Sequence, residues 1–102
     1  MTLGVSDMEQ LDLNKLRLLM QVVECGSLGR AEKKLGIPKA SLSRNLKQFE
    51  AQLNLKLVNR DQQGISLTDI GRRLVAQSSH LIKELDQIQD MLAGFNDQPK
   101  GL

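Results

Sequence analysis

Residues 27–49 read SLGRAEKKLGIPKASLSRNLKQF, and this stretch decides the fold. It divides at Gly36-Ile37-Pro38. Gly36 can adopt a left-handed backbone that other residues resist, and Pro38 suits the first turn of a helix, where no backbone donor is missed. Before the turn, Leu28, Ala31 and Leu35 mark the buried side of a short helix capped by Ser27. After it, at 100° per residue, Leu42, Leu46, Phe49 and Leu53 fall within about 60° of arc, a narrow apolar stripe on a helix from Pro38 to Leu53. Ala40, Ser43, Arg44 and Lys47 occupy the opposite face, with Lys39 beside them at the N-terminal end. Asn54 follows as a left-handed C-terminal cap. Two short helices around a tight turn, the second apolar behind and small, polar and cationic in front, can present that front to a groove.

Charge points the same way. Between Leu28 and Arg60 the chain carries Arg30, Lys33, Lys34, Lys39, Arg44, Lys47, Lys56 and Arg60 against only Glu32 and Glu50. That segment has a net charge of +6 in a chain of +2, so the remainder carries −4. A charge run is usually a solvated face. Here it coincides with the turn chemistry of a duplex-binding module, in which phosphate neutralisation drives affinity and one helix enters the major groove.

Working outward, residues 1–10 show no apolar period and read as a flexible lead. Asp12 is an N-cap candidate for a first helix with Leu13, Leu16, Met20 and Val23 on one face, ended by Gly26. Downstream, Leu57-Val58-Asn59-Arg60 and Ile65-Ser66-Leu67-Thr68 flank Asp61-Gln62-Gln63-Gly64 and read as a β-hairpin, a wing beside the two helices. Thr68 caps a long helix whose positions Leu74, Ser78, Leu81, Leu85, Ile88, Leu92 and Phe95 keep a coiled-coil register for three heptads, widened by Val75 and Ile82. With Gly94 as terminator it spans about 25 residues, roughly 37 Å. That exceeds what the preceding domain can cover, so a partner helix is expected beyond Leu81. The expected fold is mainly α: a winged helix-turn-helix of three helices and a short hairpin over 11–68, a linker helix for dimerisation over 69–94, and a tail over 95–102.

Composition narrows the classes. The 102 residues contain no Trp or Tyr, and only Phe49 and Phe95 are aromatic, so the core is aliphatic and suits packed helices. A domain of this size is marginal alone, and burial against a second copy helps it. Cys25 is the single cysteine and is expected as a small, half-buried residue at the end of the first helix, without a redox role. His80 stands among polar neighbours and is expected in solvent, without a metal. No cofactor is expected, nor an enzyme: acids, histidine and cysteine are never clustered, and no glycine-rich phosphate loop exists. With neither a signal peptide nor a membrane span in view, the expected location is cytoplasmic.

The order and spacing of the pieces resemble the N-terminal DNA-binding domain of the LysR-type transcriptional regulators, from Leu11 to about Gly94. The pieces are Leu13-x-x-Leu16-Arg17, Val22-x-Glu24-x-Gly26-Ser27-Leu28, Arg30-Ala31-x-x-x-Leu35-Gly36-Ile37, Leu42-Ser43-Arg44-x-Leu46, Phe49-Glu50-x-x-Leu53, Leu57-Val58-x-Arg60 and Leu67-Thr68-x-x-Gly71. The resemblance implies that Lys39, Ala40 and Ser43 face base edges and that Arg44, with Lys47 beside it, serves the phosphates. Arg60 reaches the neighbouring minor groove or backbone, and Ser27 and Arg30 touch flanking phosphates. It further implies an antiparallel homodimer through Leu74, Leu81, Ile82, Leu85, Ile88, Leu92 and Phe95, an imperfect inverted repeat in double-stranded DNA as target, and contact with RNA polymerase in the assembled regulator.

The chain departs from that pattern in places. Glu32 stands where a second small residue is usual, so either it points outward or the helix pair opens. Gly29 and Pro38 replace hydroxyl residues. Lys39 replaces a common glutamine, which shifts the expected base from adenine towards guanine or phosphate. The wing tip, Asp61-Gln62-Gln63, lacks extra arginines. Family members normally continue into an effector-binding domain, and this chain ends about where the hinge begins, as an excised domain or a short protein does. Two functions are therefore weighed: a dimeric, sequence-specific DNA-binding domain, and a short regulator-like protein that disarms full-length regulators by pairing through its linker helix. The intact face of Ser43, Arg44 and Lys47 favours the first.

Overall fold

The computed structural model describes residues 11–97; the expected lead over 1–10 and the end of the tail lie outside them. Three helices come first: α1 (Leu13–Cys25), α2 (Leu28–Leu35) and α3 (Lys39–Leu53). An antiparallel hairpin of β1 (Val58–Asp61) and β2 (Gly64–Leu67) follows, and then the long α4 (Asp69–Asp97). This is a winged helix-turn-helix with an appended helix, as the sequence predicts.

Local chemistry sets most boundaries. The Asp12 carboxylate accepts from the backbone N–H groups of Asn14 and Lys15, at 3.1 and 3.2 Å. The Ser27 hydroxyl accepts from Arg30 N–H at 3.1 Å. Each satisfies donors that a helix start leaves orphaned. Gly36 (φ 72) and Asn54 (φ 55) take the left-handed conformation that closes α2 and α3. Pro38 sits one position earlier than expected: it is the N-cap of α3, in extended backbone, with its carbonyl accepting from Leu42 N–H at 3.0 Å. Because Pro38 has no side-chain donor or acceptor, α3 begins without a side-chain cap.

The core is Leu16, Leu19, Val22, Ala31, Leu42, Leu46, Phe49, Leu57, Val58, Ile65 and Ile82. The buried line on α1 is Leu16, Leu19 and Val22, whereas Leu13, Met20 and Val23 are only partly covered. The single stripe expected from spacing is therefore one edge of the buried surface. Contact with α2, α3, β2 and α4 makes α1 the central helix, covered from several sides, and a helix so placed buries more than one heptad line. Glu32 is exposed and Ala31 fully buried, so the α2 departure resolves outward without opening the helix pair.

The linker helix differs from expectation at both margins. Gly94 does not end it; the helix continues through Asp97. A glycine costs a helix interior only about 1 kcal/mol, which the flanking turns absorb. At the start, the Thr68 hydroxyl donates to the Lys56 carbonyl at 2.7 Å and accepts from Gly71 N–H at 3.1 Å. Gly71 lies so close to the Leu57 carbonyl that a Cβ there would collide with it. Farther along, Ser78 and Ile82 turn inward, and Arg17 of α1 pairs with Asp86 of α4 at 2.8 Å. Ile82 is 6% exposed, so it belongs to the domain's own core and not to the free seam where the sequence reading puts it. At 100° per residue it lies about 100° around the helix from Leu81, enough to change neighbours.

Candidate nucleic-acid interface

The apolar back of α3 sets the orientation of its front. Leu42, Leu46 and Phe49 are buried, with Leu53 partly covered, and this drives Lys39, Ala40, Arg44 and Lys47 into solvent. Ser43 is half-exposed on the same side. Lys39, Arg44 and Lys47 take part in no ion pair or side-chain hydrogen bond among the described residues. Three unengaged cations around two small side chains make a surface a phosphate backbone can approach without steric conflict.

The wing is held beside this face by two devices. One is Glu50, on the last turns of α3. Its carboxylate accepts from Leu57 N–H at 2.7 Å and Val58 N–H at 3.1 Å, tying α3 to the first strand. The other is the approach of the hairpin to the α1–α2 turn, where Ile65 N–H donates to the Gly26 carbonyl at 3.0 Å. Gly64 (φ 141) is the residue that allows it, since a Cβ at 64 would strike that carbonyl. The Asp61 carboxylate closes the hairpin tip by accepting from Gln63 and Gly64 N–H groups. The wing, the α1–α2 turn and α3 therefore present their outer surfaces as one piece.

Between them lies a concave cleft lined by Ser27, Gly29, Arg30, Lys39, Arg60 and Gln62, among others. It gathers cations from three elements, with only Asp61 opposing them. The expected residues are thus in two groups that meet at Lys39: Ser27, Arg30 and Arg60 around the cleft, and Ala40, Ser43, Arg44 and Lys47 along α3. Arg60 also bridges the groups, because its Nη1 donates to Ser43 Oγ at 2.7 Å. The Ser27 hydroxyl oxygen is occupied as a helix cap; its proton remains available to donate. Sequence reasoning does not anticipate Glu50 as the tie to the wing or the Arg60–Ser43 bond. Both join positions 7 to 17 residues apart with no periodic signature. Gln62 and Gln63 line the cleft too, and their polarity supplies donors where the wing lacks further arginines.

Among the described residues no helix is long and apolar enough to cross a membrane. His80 is exposed and Cys25 half-buried at the end of α1.

The sequence profile of the bacterial regulatory helix-turn-helix proteins of the lysR family matches residues 13–72. The HTH-type transcriptional activator BauR of Pseudomonas aeruginosa is 30% identical over 83 residues, covering 81% of this chain and 27% of BauR. Full-length AphB, the Vibrio cholerae virulence activator, superposes with a TM-score of 0.74 at 34% identity, over 79% of this chain and 28% of AphB. The DNA-binding domain of BenM in complex with catB site 1 DNA superposes with a TM-score of 0.74 at 27% identity, over 86% of this chain and 98% of that one. The chain spans between a quarter and a third of the length of the curated relatives it matches.

Proposed function

Since the chain belongs to the lysR family of bacterial regulatory helix-turn-helix proteins and forms its winged helix-turn-helix DNA-binding domain, we propose that it reads a specific DNA operator as a homodimer. The observation that carries this reading is the outward face of α3, where Lys39, Ala40, Arg44 and Lys47 are exposed, Ser43 is half-exposed and bonded only to Arg60 of the wing, and all lie beside the cationic cleft. In the BenM complex a domain of this fold is bound to DNA.

In this reading α3 enters the major groove. Ala40 and Ser43 let the backbone come close, and Lys39 donates to guanine O6 or N7. Arg44 and Lys47 neutralise the phosphates along the groove, while Ser27, Arg30 and Arg60 hold the strand that runs across the cleft. Cations at these positions release counterions on binding, so affinity falls steeply with salt. Pairing supports the specificity. Leu81, Ile88, Leu92 and Phe95 remain more than half exposed on α4, a strip that a second copy covers. Two copies related by a two-fold axis place two recognition helices on successive turns of one duplex face, and an imperfect inverted repeat follows. Such a reader works with chromosomal DNA in the cytoplasm, and contact with RNA polymerase falls to the assembled regulator.

The test is selection of bound duplexes from a random pool at near-physiological salt. Recovery of an inverted repeat with fixed half-site spacing is the expected result. A folded, self-associating chain that enriches no motif refutes sequence reading and transfers the weight to capture of full-length regulators through α4.

A further inference from the structure

Resting on the operator reading above, we propose that Arg60 is a positioning residue for base recognition. By donating to Ser43 it makes that hydroxyl a hydrogen-bond donor towards DNA, so that Ser43 reads a base acceptor and disfavours cytosine. The bond runs from Arg60 Nη1 to Ser43 Oγ at 2.7 Å, between the wing and α3.

Three observations carry this. The first is the register of the hairpin. Arg60 stands opposite Ile65 and Val58 opposite Leu67, so these four side chains share one face, while Asn59 and Ser66 take the other. Val58 and Ile65 are buried, which makes the shared face the one turned towards the helices. Arg60 therefore leaves its strand on the inner side and reaches back to α3, with the guanidinium at the surface. Asp61 does not hold it: the Asp61 Oδ1 accepts from Gln63 and Gly64 N–H groups, and Arg60 forms no ion pair among the described residues.

The second is the place of Ser43. It lies between Lys39 and Lys47 on one line of α3, a helical turn from each, at the middle of the outward face.

The third is chemistry. A guanidinium only donates and stays charged, so the Ser43 proton cannot point at Arg60. A helical serine can turn its proton back onto a carbonyl of the preceding turn, as Ser79 does to Ala76 at 3.4 Å. Ser43 makes no such bond among the described residues, which leaves its proton for a partner outside the fold. In the major groove guanine, adenine and thymine each present an acceptor, whereas cytosine presents only its amino donor. Ser43 keeps a second lone pair for that amino group, but the adjoining guanidinium repels its positive edge.

Duplex selection, followed by titration of single-base operator variants, tests the assignment on the 102-residue chain, on Ser43→Ala, on Arg60→Ala and on the double variant. The parent is expected to bind about tenfold more weakly when cytosine stands at one half-site position on the contacted strand. Ser43→Ala should erase that discrimination, and Arg60→Ala should cut it to about threefold or less at the same position. The double variant should lose no more of it than Ser43→Ala does, since the two side chains act as one unit. A uniform loss from phosphate contacts of Arg60 cancels in this ratio. Both side chains lie outside the core, so thermal unfolding of each variant should match the parent. Discrimination that survives Arg60→Ala intact, or that falls at a position other than the one Ser43 governs, overturns the proposal. So does a preference for cytosine at that position, or a Ser43→Ala variant with unchanged preference throughout. A parent chain that enriches no motif sinks the operator reading and this proposal with it.

Discussion

Arg44 and Lys39 stand on the same exposed face of α3, and in the proposed reading they divide its work by chemistry. Arg44 carries a fixed, always charged fork with no partner in the fold. In the proposed reading its value lies in phosphate neutralisation, which does not depend on sequence. Arg44→Ala should therefore weaken binding to all duplexes and reduce the slope of log K against log salt by about one unit. A salt titration on operator and random duplexes checks it; an unchanged slope with relaxed preference at one base assigns Arg44 to base reading instead. Lys39, at the first position of α3, is the donor that the proposed pose directs at a base. Lys39→Gln should exchange a guanine-directed donor for a side chain that pairs with adenine, moving base preference more than total affinity. Repeating the duplex selection with the variant decides this, and a uniform loss at every sequence sinks the assignment.

Elements were legible where their signals are local. Asp12, Ser27, Gly36 and Asn54 act within four residues of themselves, as does Thr68 in accepting from Gly71, and each does in the structure what its type implies; the second bond of Thr68, to Lys56, is not local. The outward face of α3 was equally legible, because one period fixes both its greasy back and its cationic front. The buried line of α1 was not, since it depends on how many neighbours surround that helix. Nor was the role of Glu50, whose partners Leu57 and Val58 belong to another element. Replacing Glu50 by Ala should strand two backbone donors and cost on the order of 2 kcal/mol in stability. Glu50→Gln keeps an acceptor and should cost less. Chemical denaturation of both variants checks the ranking, and a harmless Glu50→Ala would mean that solvent satisfies the strand entry. Because the bond joins α3 to the wing, Glu50→Ala should also loosen the cleft that contains Arg60.

At the scale of the molecule, α4 has two sides with different allegiances. Ser78 and Ile82 anchor it to α1, reinforced by the Arg17–Asp86 pair, while Leu81, Ile88, Leu92 and Phe95 face away. Leu85 is half-buried between these sides. Leu85→Asp should bring a charge into the proposed seam and leave the chain monomeric at micromolar concentration. Its affinity for a two-site operator should then approach that for a single half-site. Analytical ultracentrifugation beside a binding titration checks both, and a variant that stays dimeric places the interface elsewhere. Anchoring also bears on geometry. Because α4 is pinned at its first turn by Thr68 and again near Asp86, the angle between domain and helix is set within the monomer. In the proposed homodimer, the spacing of the two copies of α3 is then inherited from the fold instead of being negotiated on DNA.

The freedom of the α3 front has a consequence for how this scaffold can change. Lys39, Ala40, Arg44 and Lys47 hold nothing together, while the residues that fix the helix all lie behind it or at its end. Exposed substitutions of this kind usually alter stability by no more than about 0.5 kcal/mol each. If α3 reads DNA as proposed, mutational drift across these four sites is nearly invisible to folding and fully visible to DNA. Duplicated copies of such a gene can diverge towards different operators without passing through unfolded intermediates, and a randomised library at the same positions should remain mostly soluble while sampling new binding sites.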